Sequence, residues 1–133
     1  IPSVTEAGVL EALAFSSTAK GPGTALAYAL NGRLLAPKVA VTAALAIPLL
    51  EHPGMIQGIE RLASACGESH QSLLDAVKRL VTAKGFSLRL QDLGMRKNDC
   101  SEIAATARAF PLIPYFPILK EQDELFEFLG QLL

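Results

Sequence analysis

The chain has 133 residues, of which 50% are apolar and 19% are charged, and its formal net charge is −1. That length has room for one domain with a single core, and the 12 basic residues are scattered rather than gathered into the basic face that nucleic-acid binding requires. The longest uncharged run, from Val39 to Leu50, is too short to cross a bilayer, so we expect a domain that binds neither nucleic acid nor membrane.

The expected helices follow one another along the whole chain. Apolar periodicity, interrupted by glycine and proline, predicts about seven short helices and no strand. These helices cover about residues 3–20, 24–35, 38–51, 55–66, 69–85, 98–110 and 121–132. We expect a short helical turn over residues 86–93 and a rigid, extended proline loop over residues 111–117. The prediction is a single all-α domain over residues 1–133, a bundle of short helices.

Local chemistry indicates where several of these helices begin, bend or end. Ser3 and Glu6 have the spacing of a capping box. Ser69 is expected to cap the helix that follows it, and Gly85 to end that helix in the left-handed conformation. Pro48 lies inside a predicted helix and is a position where that helix could kink.

The apolar residues of three helices are spaced so that each helix has one buried face. The three predicted faces are Ile59, Leu62 and Ala63; Leu73, Val77, Leu80 and Val81; and Leu125, Phe128, Leu129 and Leu132. On the second of these helices, Lys78 and Arg79 are predicted to face water.

The mean hydropathy is positive, at +0.34, which is high for a domain of this size. Two interpretations stay open: a well-filled core, or an apolar face that a partner chain or a further domain covers. The two cysteines, Cys66 and Cys100, have no metal-type spacing. We therefore expect reduced thiols in a cytoplasmic protein.

The residue types that carry chemistry are few and scattered. A zinc or iron site needs three or four converging ligands, whereas His52 and His70 lie in separate contexts and are predicted to have surface or capping roles. Glu121 and Asp123 begin the last helix, where they complement its dipole. Gly21-Pro22-Gly23 follows a helix rather than a strand, so it is not a dinucleotide fingerprint.

Several segments, taken in order, resemble one known family. They are Ala14-Phe15-Ser16-Ser17-Thr18-Ala19-Lys20-Gly21, Pro37, Ile47-Pro48, and residues 88–95, 99–108 and 119–133. Their order and spacing are similar to those of the C-terminal helical domain of the iron-containing (group III) alcohol dehydrogenases. The similarity covers most of the chain.

The resemblance also implies which positions form a pocket. The family binds a divalent metal through an aspartate and three histidines, and it oxidises alcohols and reduces aldehydes with NAD(P). Two of those histidines correspond here to Thr24 and Lys38, and a further pocket histidine corresponds to Tyr28. The remaining two ligands lie on a helix that this chain does not contain. The implied pocket residues are thus Thr24, Tyr28 and Lys38, with the metal site degenerate and no metal on this chain.

Three functional hypotheses follow from this reading. The first is the helical domain of an alcohol-dehydrogenase-like oxidoreductase, with no cofactor on this chain and NAD(P) on a parent or partner protein that supplies the missing α/β domain. The second is a non-catalytic module that assembles as a homo-oligomer through an apolar face. The third is an independent metal-free enzyme in which Lys38 holds an anionic or carbonyl substrate, with Thr24 and Tyr28 supplying hydroxyls.

Overall fold

The computed structural model describes Ser3, Glu6, Gly8, Val9, residues 21–111, Ile113 and residues 116–133. These residues form six α-helices and three short 3-10 turns, and they contain no strand. We number the helices α1 (Pro22–Arg33), α2 (Lys38–Glu51), α3 (Ile56–Ala65), α4 (His70–Ala83), α5 (Cys100–Arg108) and α6 (Gln122–Gln131). The protein is therefore an all-α helical bundle, as predicted.

The predicted helix over residues 3–20 lies outside the described residues, except at four positions near its start. There the capping box is present: the Ser3 N–H donates to Glu6 Oε2 at 2.6 Å, and the Glu6 N–H donates to Ser3 Oγ at 3.2 Å. The hydrogen bond from the Ser3 backbone holds the pKa of the Glu6 carboxyl below its ordinary value. The segment Ala14 to Lys20, on which part of the family resemblance depends, is also outside the described residues.

The first two described helices form a hairpin whose ends differ slightly from the predicted ones. Helix α1 begins at Pro22, two residues before the predicted start. Proline is well suited to the first turn of a helix, because the N–H groups there have no hydrogen-bond partner within the helix, so a missing N–H costs nothing. Helix α1 ends at Arg33, and Leu34 turns to an extended conformation, so the predicted end at residue 35 is wrong. Helix α2 has the predicted bounds and continues through Pro48 to Glu51.

Helices α3 and α4 form a second hairpin, and the predicted ends of α4 are confirmed. The Ser69 hydroxyl accepts a hydrogen bond from the Ser72 N–H at 3.0 Å. Gly85 has a φ of +72°, the left-handed conformation expected of a helix stop.

The predicted buried faces of this second hairpin are partly wrong. Leu62 and Leu80 are 54% and 62% exposed. The residues buried on the two helices are Ile59, Ala63, Leu74 and Val81. The physical reason is that the contacts of the hairpin with the rest of the bundle are made mainly through α2, so only part of each helix's apolar surface is covered.

The last third of the chain returns to the main bundle. The predicted turn over residues 86–93 is reduced to a 3-10 turn, Leu90–Leu93, which Gly94 ends at a φ of +93°. Before α5, the Asp99 carboxylate accepts the Arg96 N–H at 2.8 Å. Helix α5 ends at Arg108 rather than at residue 110. Leu112, Pro114 and Tyr115 of the predicted proline loop lie outside the described residues.

The core lies between α1, α2, α5 and α6, which pack on one another. Helix α6 buries Leu125, Phe128 and Leu129, as predicted, and leaves Leu132 half-buried. Among the described residues, no polar or charged residue is fully buried. Apolar burial therefore supplies the main stabilisation of this core.

No single described helix is long and apolar enough to cross a membrane. Only one pair of described stretches reaches the length and apolar composition of a membrane span when the two are taken together: Lys38–Glu51 and Pro53–Ala65. The chain bends by 77° between them.

Candidate functional site

Helix α1 has two faces of different character, and the contrast defines the candidate site. Its buried face consists of Ala25, Leu26, Ala29 and Leu30, which lie in the core. Positions three and four residues apart share one side of a helix, and the opposite side of α1 carries Thr24, Ala27, Tyr28 and Asn31. This second side is turned toward the first turns of α2 and remains accessible.

An open cavity of about 550 Å³ lies along this side, between α1 and the start of α2. We call it the α1–α2 groove; its lining residues are Gly23, Thr24, Ala27, Tyr28, Asn31, Lys38 and Thr42. The structure thus brings together all three residues singled out in the sequence, namely Thr24, Tyr28 and Lys38. It adds Asn31 and Thr42, which the sequence reading missed.

Lys38 is the single charged residue among those that line the groove. It begins α2, and its backbone oxygen accepts a hydrogen bond from the Thr42 hydroxyl at 3.0 Å. The side chain is exposed, and within the described ranges it makes no ion pair. Its ammonium is therefore available to a ligand in the groove.

Asn31 contributes an unsatisfied polar atom. Its Oδ1 is buried and has no hydrogen-bond partner among the described residues. A buried acceptor without a donor costs on the order of 1–3 kcal/mol. Thr24, Tyr28 and Asn31 have the i, i+4, i+7 spacing that places residues on one side of a helix. This spacing is the sequence signal that indicates the side of α1 on which Asn31 lies.

Tyr28 is fixed by a ring contact outside the groove. Its ring stacks on Phe110, with the ring centroids 5.7 Å apart and the planes 24° from parallel. Phe110 follows α5, so the contact holds the Tyr28 side chain against the fifth helix of the bundle. The phenol is still 61% exposed.

The histidines and cysteines lie outside the groove. His52 Nδ1 accepts a hydrogen bond from the Gly54 N–H at 3.1 Å. The His52 and Phe128 rings form an edge-type contact, with their centroids 6.0 Å apart. His70 Nε2 lies 3.4 Å from the Leu50 carbonyl oxygen. Cys66 is exposed, whereas Cys100 is buried, and burial raises the pKa of the Cys100 thiol.

The donor set of the groove does not suit a divalent metal. Protein sites for such ions are built on imidazole, thiolate or carboxylate groups, to which amide and backbone carbonyl oxygens are added for Ca²⁺. The described lining offers two threonine hydroxyls, one phenol, one amide and an ammonium. In the part of the chain that the structure describes, no three His, Cys, Asp or Glu side chains converge elsewhere either. The ammonium of Lys38 would repel a cation, so the groove suits an anion or a polar neutral group.

No protein family, curated protein or solved structure matches the chain.

Proposed function

We propose that this chain is the substrate-side helical domain of an alcohol-dehydrogenase-like oxidoreductase in which the metal-ligand positions have been replaced. In this proposal the chain provides one wall of a cleft, and a separate domain binds NAD(P) and provides the other wall. One observation carries the proposal: Thr24, Tyr28 and Lys38, the three positions that the family resemblance assigns to the pocket, line the same groove.

The chemistry of the groove is consistent with this role. A carbonyl oxygen that gains negative charge during reduction is stabilised by a fixed cation or hydrogen-bond donor, and the Lys38 ammonium is such a cation. The hydroxyls of Thr24 and Tyr28 can orient the same substrate. The described residues contain no strand, so they cannot form the βαβ unit on which NAD(P) is usually bound. In this proposal the cofactor is bound by another domain or chain.

The test is made on the native protein that contains this chain, isolated from its source. We expect its intact mass to be well above 14.1 kDa, and we expect it to shift the fluorescence of NADH or NADPH on titration. The 133-residue chain alone, as the control, should leave the fluorescence unchanged. A native protein of this length, free of a cofactor-binding partner and inert toward both nucleotides, would overturn the proposal.

A second candidate function, self-association without catalysis, is favoured by the apolar residues at the end of the α1–α2 hairpin. Leu35 is completely exposed, at 105%, and Val39 is 57% exposed. Val39 follows Lys38 directly, and Leu35 lies three residues before it, in the connection between the two helices. Exposed apolar side chains that lie together can form part of a face that another chain covers.

This alternative makes its own prediction. If the face joins two copies, replacing Leu35 with glutamate should convert a dimer of the 133-residue chain into a monomer, because a charge in an apolar interface costs several kcal/mol. Sedimentation velocity measures the change. Leu80→Glu is the matched control, since Leu80 is equally apolar and 62% exposed on α4. A wild-type chain that is monomeric at high micromolar concentration would exclude the alternative.

A further inference from the structure

We infer that the α1–α2 groove binds a small organic anion that also carries a hydroxyl group, that is, a hydroxy carboxylate. The inference deepens the proposed function, because it names the ligand class of the same groove. It is carried by the charge of Lys38, the unsatisfied amide oxygen of Asn31 and the neutrality of the other lining residues.

The anionic part of the ligand follows from the charges around the groove. Lys38 has no carboxylate neighbour among the lining residues. The first turns of α1 and α2, which border the groove, contain no acidic residue. The backbone N–H groups at those helix starts add partial positive charge. The local field therefore favours a carboxylate, and the ammonium can donate a charge-assisted hydrogen bond to it.

The hydroxyl part follows from Asn31. Its Oδ1 is an acceptor without a donor, and a carboxylate cannot supply one because it is itself an acceptor. A ligand hydroxyl can. Asn31 lines the groove, and the final torsion of an asparagine side chain is broad, so the amide can turn its oxygen toward a bound ligand. A molecule with one acidic group and one hydroxyl group can therefore bond to Lys38 and to Asn31 Oδ1 at the same time.

The groove has ample room for a small organic ligand. Its volume of about 550 Å³ falls within the range of about 300–1,000 Å³ that is usual for small-molecule pockets. Ala27 offers the groove a small apolar surface for an alkyl chain. We therefore choose 2-hydroxybutanoate as the probe, which has both required groups and an ethyl chain.

The experiment compares three probes that differ by one group each. The 133-residue chain, labelled with ¹⁵N, is titrated with 2-hydroxybutanoate, with butanoate, which lacks the hydroxyl, and with butane-1,2-diol, which lacks the carboxylate. We expect 2-hydroxybutanoate to bind tightest, with amide shifts in residues of the groove. Loss of either group should weaken binding by about tenfold.

Two variants assign each ligand group to its partner. Lys38→Met should remove the preference for 2-hydroxybutanoate over the diol, because the ammonium is gone while most of the apolar stem remains. Asn31→Ala should remove the preference for 2-hydroxybutanoate over butanoate. Lys84→Met is the matched control, since Lys84 is exposed at the end of α4, away from the groove. Retained peak dispersion in the NMR spectrum shows that each variant is folded.

The outcomes separate this inference from the proposed function. Equal binding of 2-hydroxybutanoate and the diol would overturn the inference, and so would unchanged binding of 2-hydroxybutanoate by Lys38→Met. The absence of any amide chemical-shift change at high millimolar concentrations of 2-hydroxybutanoate would overturn it too. Cofactor binding by the native protein would leave the proposed function standing in those cases. Conversely, selective binding of 2-hydroxybutanoate together with a native protein inert toward NAD(P)H would support the inference and refute the proposed function.

Discussion

Replacing Leu74 with alanine is expected to lower the free energy of unfolding by about 2–4 kcal/mol, whereas the same change at Leu80 should lower it by less than about 0.5 kcal/mol. Both residues lie on α4, so the change in helix propensity is similar for the two. They differ in burial: Leu74 is 5% exposed, and Leu80 is 62% exposed. Truncation at Leu74 removes buried apolar surface and leaves a cavity, while truncation at Leu80 removes surface that is already in water.

Urea denaturation of the wild type and the two variants measures this difference directly. If unfolding is two-state, the midpoint should fall strongly for Leu74→Ala and stay nearly constant for Leu80→Ala, with similar slopes for all three proteins. The reverse order would mean that α4 presents its other side to the bundle. Equal losses of stability in the two variants would mean that Leu80 is covered as well.

This pair of residues also shows why the buried face of α4 was mispredicted. The helix carries apolar residues at positions 73, 74, 77, 80 and 81, an arc too wide to be covered by one neighbouring helix. The spacing rule selected a stripe that included Leu80 and omitted Leu74. Periodicity establishes that an apolar side exists, but the position of α2 decides which part of it is buried, and that position is a tertiary property.

Helix ends were predicted better than helix faces, because an end depends on a few neighbouring residues. Ser69 caps α4 through a bond to a residue three positions away, and Gly85 ends that helix through its own backbone conformation. Lys38–Glu51 was predicted with the correct bounds for the same reason. The end of α1 was not, since nothing near Leu34 in the sequence marks the point where the chain leaves the helix.

The candidate site was predicted in part, and the missing part has a physical explanation. Thr24, Tyr28 and Lys38 were identified by correspondence with a family pattern, and they lie in one groove. Asn31 was not identified: its spacing from Thr24 and Tyr28 indicates the side of α1 on which it lies, but not that its oxygen is buried without a donor. Whether an amide is satisfied depends on every element packed around it, and the sequence alone does not contain that information.

Gly54→Ala is expected to destabilise the protein by about 1–3 kcal/mol, because a methyl group at this position has no room. Gly54 lies in the 3-10 turn Pro53–Met55, between α2 and α3. A Cβ atom there would overlap Cγ2 of Ile118, in the segment that leads into α6, and would lie 3.4 Å from Ile118 Cβ. The branch at Cβ makes the Ile118 side chain stiff, so it cannot easily move aside.

Gly58→Ala is the matched control for this prediction, and its expected effect has the opposite sign. Gly58 is exposed on α3, and a Cβ atom there would meet nothing within 4 Å. Alanine is favoured over glycine inside a helix by about 0.5–1 kcal/mol, so Gly58→Ala should stabilise the protein by about that amount. Thermal and urea unfolding of the two variants give both values. A neutral Gly54→Ala would mean that the turn and the segment before α6 separate in solution, and that the bundle is held together by α1, α2, α5 and α6 without this contact.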